Sequence, residues 1–298
     1  MLEIKKYAAI DIGSNAIRLL VANIVIEEDK EPQFKKSSLV RVPIRLGADA
    51  FVLGKISPEN TQRMIDAMEA FKLLMKVHSV EKCKACATSA MREASNGQEV
   101  ANQILKKTGV EIDIIDGKKE AAIISSTDLN QLIESDASYL YVDVGGGSTE
   151  LTVFSKGKII NSKSFKIGTV RLINNKKSEN KVLFKEVQKW VESSTKGLKR
   201  ISLIGSGGNI NRLFKMSGRA QGKPISYIYL NAQYQFLKQM SYKERISELS
   251  LNPDRADVIV PATKIYLSAM KWSGARKIFV PKIGLSDGII KSLYYNKL

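Results

Sequence analysis

The stretch "VDVGGGSTEL" (residues 142–151) decides how this chain is read. An apolar run ends in a carboxylate. Three glycines, two hydroxyls and a second carboxylate follow before apolar residues resume. A packed core has little use for such a run, because glycine has no side chain to bury. Near the start, "AIDIGSNAIRLLV" (residues 9–21) repeats the grammar. A turn between strands that presents successive N–H groups forms an anion-binding concavity. Gly145, Gly146 and Gly147 are expected to supply such donors, with hydroxyls from Ser148 and Thr149. Gly13, Ser14 and Asn15 are expected to do the same in the first turn. Asp11 and Asp143, at strand ends, can hold Mg²⁺ or orient a nucleophile. A third turn, "IGSGGNI" (residues 204–210), carries Gly205, Ser206, Gly207 and Gly208 between a strand and a helix, where a phosphate could meet the helix N-terminus.

Outward from these turns, the first half reads as strands over 7–10, 17–26 and 34–46 and a helix over 57–77. A strand over 82–88, a helix over 89–109, a strand over 110–116 and a helix over 118–135 complete it. Ser57 and Pro58 predict the first helix start. Met64, Met68, Phe71 and Met75 recur at helical spacing and read as core. The second half repeats the order, with strands over 139–146, 150–157 and 158–166 and a helix over 181–198. A strand over 201–205 and helices over 209–216 and 252–274 follow, the last with a possible kink at Pro261. A strand over 277–281 and a helix from Leu285 end the chain. Both halves read βββαβαβα, with the glycine turn between the first two strands of each. That is a duplicated architecture, placed here as domains 1–122 and 123–298 of an α/β protein.

Forty-seven Lys and Arg against 30 Asp and Glu leave a net charge of +17 in 298 residues. Such an excess concentrates polyanions and speeds their encounter. No arginine-rich arm, zinc finger or aromatic RNA-binding signature occurs, so nucleic acid is not the expected partner. The lysines are scattered, and "NNKKSENK" (residues 174–181) reads as a solvated loop. Cys83 and Cys86 with one histidine, His78, cannot complete a four-ligand zinc site. A redox pair would normally open a helix, whereas "CKAC" reads as strand, so both thiols are expected to be reduced and buried. His78 is read as a helix C-cap. No apolar run approaches the roughly 20 residues of a membrane span. With no signal-peptide pattern at the start, the expected location is cytoplasmic, with no membrane partner.

Taken in order, "AAIDIGSNAIRLLV", "ATSAMREASNG", "IDGKKEA", "VDVGGGSTEL", "KIGTVRL", "LIGSGGNINRL", "RADVIVPA" and "IGLSDGII" resemble the exopolyphosphatase/guanosine pentaphosphate phosphatase (Ppx–GppA) family over nearly the whole chain. The resemblance implies two ribonuclease-H-like domains of the actin-like ATPase superfamily with an interdomain cleft, in the short two-domain form. It implies Mg²⁺-dependent release of terminal phosphate from inorganic polyphosphate or guanosine pentaphosphate, and commonly a homodimer. Glu120 takes the position of the family's proposed catalytic base. Ser89, Arg92 and Asn96 match the block that contacts the phosphate chain, and Asp143 and Glu150 match the acidic pair associated with metal and water. One departure stands out: Lys118 and Lys119 precede Glu120 where the family usually carries acids. Two adjacent cations are expected to lower the pKa of the base, which raises the alternative of a polyphosphate or alarmone sensor with little turnover. A sugar or acetate kinase of the same fold ranks lower.

Overall fold

The structure, a computed structural model, describes residues 2–125, 127 and 137–298. Contacts divide the chain into two compact units, Met1–Thr127 with Gly284–Leu298, and Asp128–Ile283.

In the first unit, β1 (Leu2–Ile12), β2 (Ile17–Glu27) and β3 (Gln33–Val42) form an antiparallel meander. β4 (Lys82–Ala87) and β5 (Ile112–Ile114) extend it in parallel on the other side of β1, giving the order β3-β2-β1-β4-β5. From Tyr7 to Ile12 every residue of β1 is buried. A strand covered on both faces reads as a continuous apolar run, not as an alternation. The helix Pro58–Val77 starts where capping chemistry requires, with Ser57 Oγ accepting the Asn60 N–H at 3.2 Å and Pro58 in the first turn. Met64, Met68 and Phe71 of this helix are buried in the core with Ile10, Leu19 and Ile104. His78 caps its C-terminus.

The closing helix, Leu285–Tyr294, packs on β1, β2, β4 and the helix Gly117–Ser125. The sequence reading counted it with the second half, whereas contacts place it in the first unit. Its approach is close enough that a Cβ on Gly288 would stand 2.3 Å from the Ile123 carbonyl oxygen.

The second unit repeats the plan. β6 (Ser138–Val144), β7 (Thr149–Ser155) and β8 (Lys158–Phe165) are the antiparallel meander. β9 (Ile201–Ser206) and β11 (Lys277–Phe279) are the parallel extension, and the two-residue β10 (Ile225–Ser226) adds an antiparallel edge. Apart from β10, the order β11-β9-β6-β7-β8 matches the first sheet strand for strand. Lys156 and Gly157 turn β7 into β8, both with positive φ (51° and 72°), the requirement of a type I′ hairpin. Leu140, Val142, Leu151, Leu203, Ile210 and Tyr266 lie in its core.

Several expectations change. The run read as helix over 89–109 is two helices, Ser89–Glu93 and Gly97–Thr108, because Ala94 turns extended (φ −69°, ψ 130°). The run over 252–274 is also two, Pro253–Ala256 and Ile259–Ser273. Pro261 is the third residue of the latter, where no intrahelical bond to its nitrogen is due, so it does not disrupt the helix. Leu46, read as the end of a strand, opens the helix Leu46–Ala50. "NNKKSENK" becomes helical at Lys177, and the stretch 217–251, left without elements in the sequence reading, contains β10 and the helices Tyr227–Gln239 and Tyr242–Ser247. The helix expected over 118–135 is present as Gly117–Ser125; 126 and 128–135 lie outside the described residues. Cys83, three residues from Cys86 and so on the opposite face of β4, is exposed and not buried as expected; burial pushes the Cys86 thiol up to about 12. Among the described residues no helix is long and apolar enough to cross a membrane.

Candidate active site

In the second unit the "DVGGGST" turn is held by its carbonyls. Thr169 N–H donates to Gly145 O at 3.0 Å, and Val170 and Arg171 N–H donate to Gly146 O at 2.8 and 3.2 Å. The Arg171 side chain completes the row, with Nε donating to Gly147 O at 3.0 Å. A trans peptide points its C=O and its N–H to opposite sides. Three successive carbonyls fixed toward residues 169–171 therefore turn the N–H groups of Gly146, Gly147 and Ser148 the other way, together. N–H groups so turned suit the anion-binding concavity expected of the glycines. Its orientation comes from "GTVR" (residues 168–171), a segment to which the sequence reading gave no role. Gly168 makes the contact possible, since a Cβ there would stand 2.4 Å from Gly146 O.

Two expected contributors face inward. Ser148 Oγ donates to Glu150 Oε1 at 2.7 Å, and Thr149 Oγ1 donates to the Ile167 carbonyl. These two hydrogen bonds brace the turn.

Asp143 stands directly across from Glu150 on β7 and beside Ser206 on β9. Paired positions share one face of a sheet, with Cβ atoms about 5 Å apart. Two like charges so placed repel unless a cation or donors intervene. Donors are present: Ser164 Oγ joins Ser148 on Glu150 Oε1 at 2.8 Å, and Ser206 Oγ meets Asp143 Oδ2 at 3.2 Å. Tyr141 OH lies 3.4 Å from the same Asp143 oxygen. Burial, and then the Asp143 charge, push Tyr141 and Tyr266 well above the usual phenol range, so both remain neutral hydroxyls. Among the described residues no group of three or more His, Cys, Asp or Glu is arranged for a metal. A facing pair of carboxylates fits Mg²⁺, which keeps several waters and takes one or two protein carboxylates with substrate phosphates.

The third turn uses glycine for its conformation. Gly207 has φ 112°, and a Cβ on it would lie 3.0 Å from Val144 O and 3.5 Å from Asp143 Oδ1. Tyr266 OH holds the Ser206 carbonyl and Arg255 Nη1 reaches Gly208 O at 3.3 Å. A Cβ on Gly205 would meet the Ile278 side chain at 2.8 Å, so that glycine serves packing. Ser206, 2% exposed, shares its hydroxyl between Asp143 and the Ile283 carbonyl, 2.9 Å away.

The first unit builds its counterpart differently. Gly13 N–H closes the turn on Ala16 O at 3.2 Å, Gly47 N–H holds Ser14 O at 2.7 Å, and Arg45 N–H holds Asn15 O at 3.2 Å. Again the segment after the third strand fixes the carbonyls. Ser14 and Ser89 hydroxyls are bonded at 2.9 Å, uniting two of the expected residues. Asp11, however, faces Arg18 where Asp143 faces Glu150, and the two form an ion pair at 3.0 Å. Burial pushes the Asp11 carboxyl up and Arg18 opposes it. Asp11 is thus paired with a built-in guanidinium where Asp143 meets a second carboxylate.

Glu120 lies in the first turn of the helix Gly117–Ser125, 8% exposed, with Arg92 Nη1 at 3.9 Å. Arg92 is itself anchored by donating to Ile115 O at 2.7 Å. Lys119 turns to Asp113, 2.8 Å away, and Lys118 is exposed. Residues one and two apart on a helix do not face each other. Arg92, and neither lysine, is the cation seen against the Glu120 carboxylate among these contacts. Asn96 is engaged elsewhere, exchanging hydrogen bonds of 2.8 and 2.9 Å with the Ile56 backbone. That pairing makes it a brace for the loop.

Two sheets of one order, each with a glycine turn between its first two strands, define an α/β protein of duplicated, actin-like fold. More narrowly, the chain belongs to the Ppx/GppA phosphatase family, whose model matches residues 25–297. An exopolyphosphatase structure from Cytophaga hutchinsonii superimposes with a TM-score of 0.87, at 24% identity over 98% of each chain. Exopolyphosphatase 2 of Mycobacterium tuberculosis is 26% identical over 97% of this chain and 98% of its own length. A bifunctional 3-dehydroquinate synthase/phosphatase of Fusobacterium nucleatum is 30% identical over 92% of this chain, which spans 44% of that longer protein. By class the chain is a phosphoric-anhydride hydrolase.

Proposed function

We propose that the chain hydrolyses terminal phosphate from a linear polyanion, with inorganic polyphosphate as first substrate and guanosine pentaphosphate as second. The observation that carries this reading is the row of N–H groups at Gly146, Gly147 and Ser148, all turned one way by the pinned carbonyls. Phosphoryl transfer asks mainly for such positioning, with an oriented water and positive charge on the phosphate oxygens. Glu120 is assigned the water, with the Arg92 guanidinium 3.9 Å from its carboxylate. Asp143 and Glu150 are assigned Mg²⁺, which would neutralise charge on the phosphate oxygens when bound. The net charge of +17 favours a long polyanion. The sensor alternative rests on Lys118 and Lys119; Lys119 pairs with Asp113 and Lys118 is exposed, which favours the hydrolase.

The test is phosphate release from long-chain polyphosphate, guanosine pentaphosphate and ATP, each with and without Mg²⁺. Mg²⁺-dependent release from the first two, well above ATP, is expected. Tight polyphosphate binding without release would establish the sensor, and release from ATP alone would refute the substrate class.

A further inference from the structure

We infer that Arg171 is a positioning residue for the phosphate turn, acting through the Gly147–Ser148 peptide; this rests on the phosphate-binding reading of that turn. Its Nε–H is the side-chain donor on Gly147 O, at 3.0 Å, while main-chain N–H groups hold Gly145 O and Gly146 O. Of the three inward carbonyls, Gly147 O alone among these contacts is held by a side chain. The N–H on the far side of that peptide belongs to Ser148. Its direction is therefore set by Arg171, whereas those of Gly146 and Gly147 are set by main-chain donors.

Geometry suits guanidinium better than an ammonium. Nε sits on a planar, rigid group with a fixed donor direction, and the Arg171 main-chain N–H also holds Gly146 O at 3.2 Å. The residue thus grips two successive peptides, one with its backbone and one with its side chain. Its charge also lies one peptide away from the anion-facing N–H of Ser148 and polarises that group in the sense that strengthens a bond to phosphate. An Arg→Lys change keeps a cation but not the Nε–H donor, so it should recover the charge and lose the aim.

The experiment compares the full-length wild type with Arg171→Met and Arg171→Lys. Inorganic tripolyphosphate is the probe for calorimetric affinity and for ¹⁵N amide shifts of Gly146, Gly147 and Ser148. A charge-assisted hydrogen bond is commonly worth a factor of roughly 10–100 in binding, so tripolyphosphate affinity should weaken about tenfold or more in Arg171→Met. KM for polyphosphate should rise in step, with a smaller change in kcat. The Ser148 amide should lose its response to the probe while Gly146 keeps its own, a pattern that general loosening of the fold would not give. Added guanidinium should restore part of the affinity. Wild-type affinity with an intact Ser148 response in Arg171→Met overturns the inference. Should that variant fail to fold, Arg171→Lys decides in its place, and wild-type behaviour there overturns it equally. A wild type that ignores tripolyphosphate refutes the substrate reading instead. Arg171 is then judged on Ser148 amide exchange in the ligand-free proteins, where an unchanged rate in Arg171→Met refutes the positioning role.

Discussion

Replacing Gly168 with alanine adds one methyl group where neighbouring backbone leaves it no room. The new Cβ would stand 2.4 Å from Gly146 O and 2.5 Å from the carbonyl carbons of Gly146 and Gly147. Ordinary contact begins near 3.4 Å, so the two segments must part by about 1 Å. Backbone lies on both sides, which leaves no flexible side chain to yield. The N–H bonds from Thr169, Val170 and Arg171 cross this gap, at 3.0, 2.8 and 3.2 Å. A net loss of about 1 kcal/mol for each gives about 3 kcal/mol. For a unit of this size that corresponds to a fall in Tm of roughly 6–12 °C. Gly197→Ala serves as control: its φ of 79° strains any side chain, yet nothing lies within 4 Å of the new Cβ. It should cost about 1–2 kcal/mol of left-handed strain and leave KM for polyphosphate unchanged. Melting curves and initial rates over a polyphosphate concentration series measure both quantities. Wild-type Tm and KM in Gly168→Ala would refute the claim that residues 168–171 orient the phosphate turn.

Three further outcomes follow from the same geometry. Glu120→Gln keeps size and hydrogen bonding but loses the base, so single-turnover phosphate release should fall by about 10²–10⁴-fold while tripolyphosphate still binds; release within a few-fold of wild type would remove Glu120 from the water. Apparent affinity for long polyphosphate should drop more steeply with added salt than affinity for tripolyphosphate, because more counterions are released; equal slopes in a titration series would argue against an extended basic track. Burial pushes the Asp113 carboxyl up, but Lys119 and Lys84 outweigh it and hold it below its ordinary value. A depressed carboxyl contributes stability that is present above its unfolded pKa and lost as pH falls through the folded one. Asp113→Asn should therefore lower stability near neutrality by up to about 1 kcal/mol and flatten its decline below about pH 4, as read by urea unfolding at pH 3 to 7; an unchanged pH slope would show that the ion pairs contribute nothing.

Much of this protein was legible in one dimension because the signals are local. Apolar strands interrupted by "DIGSN" and "DVGGGST" require tight turns of low side-chain content, and Ser57 with Pro58 marks a helix start by chemistry that operates within four residues. Duplication was legible for the same reason, since each half repeats the same succession of local patterns. What the sequence could not determine is which group each polar atom meets. Nothing in "KIGTVRL" says that its backbone and Arg171 reach back more than twenty residues to Gly145, Gly146 and Gly147, because that contact exists only once β8 returns the chain alongside β7. Lys118 and Lys119 adjoin Glu120 in the chain yet lie off its helix face, while Arg92, twenty-eight residues away, meets it at 3.9 Å. Asp11 and Asp143 end their strands in the same way, and only strand register reveals that one faces Arg18 and the other Glu150. Local propensity shapes the turns, whereas the charges and donors that make a turn into a phosphate site are set by partners brought together through long-range pairing.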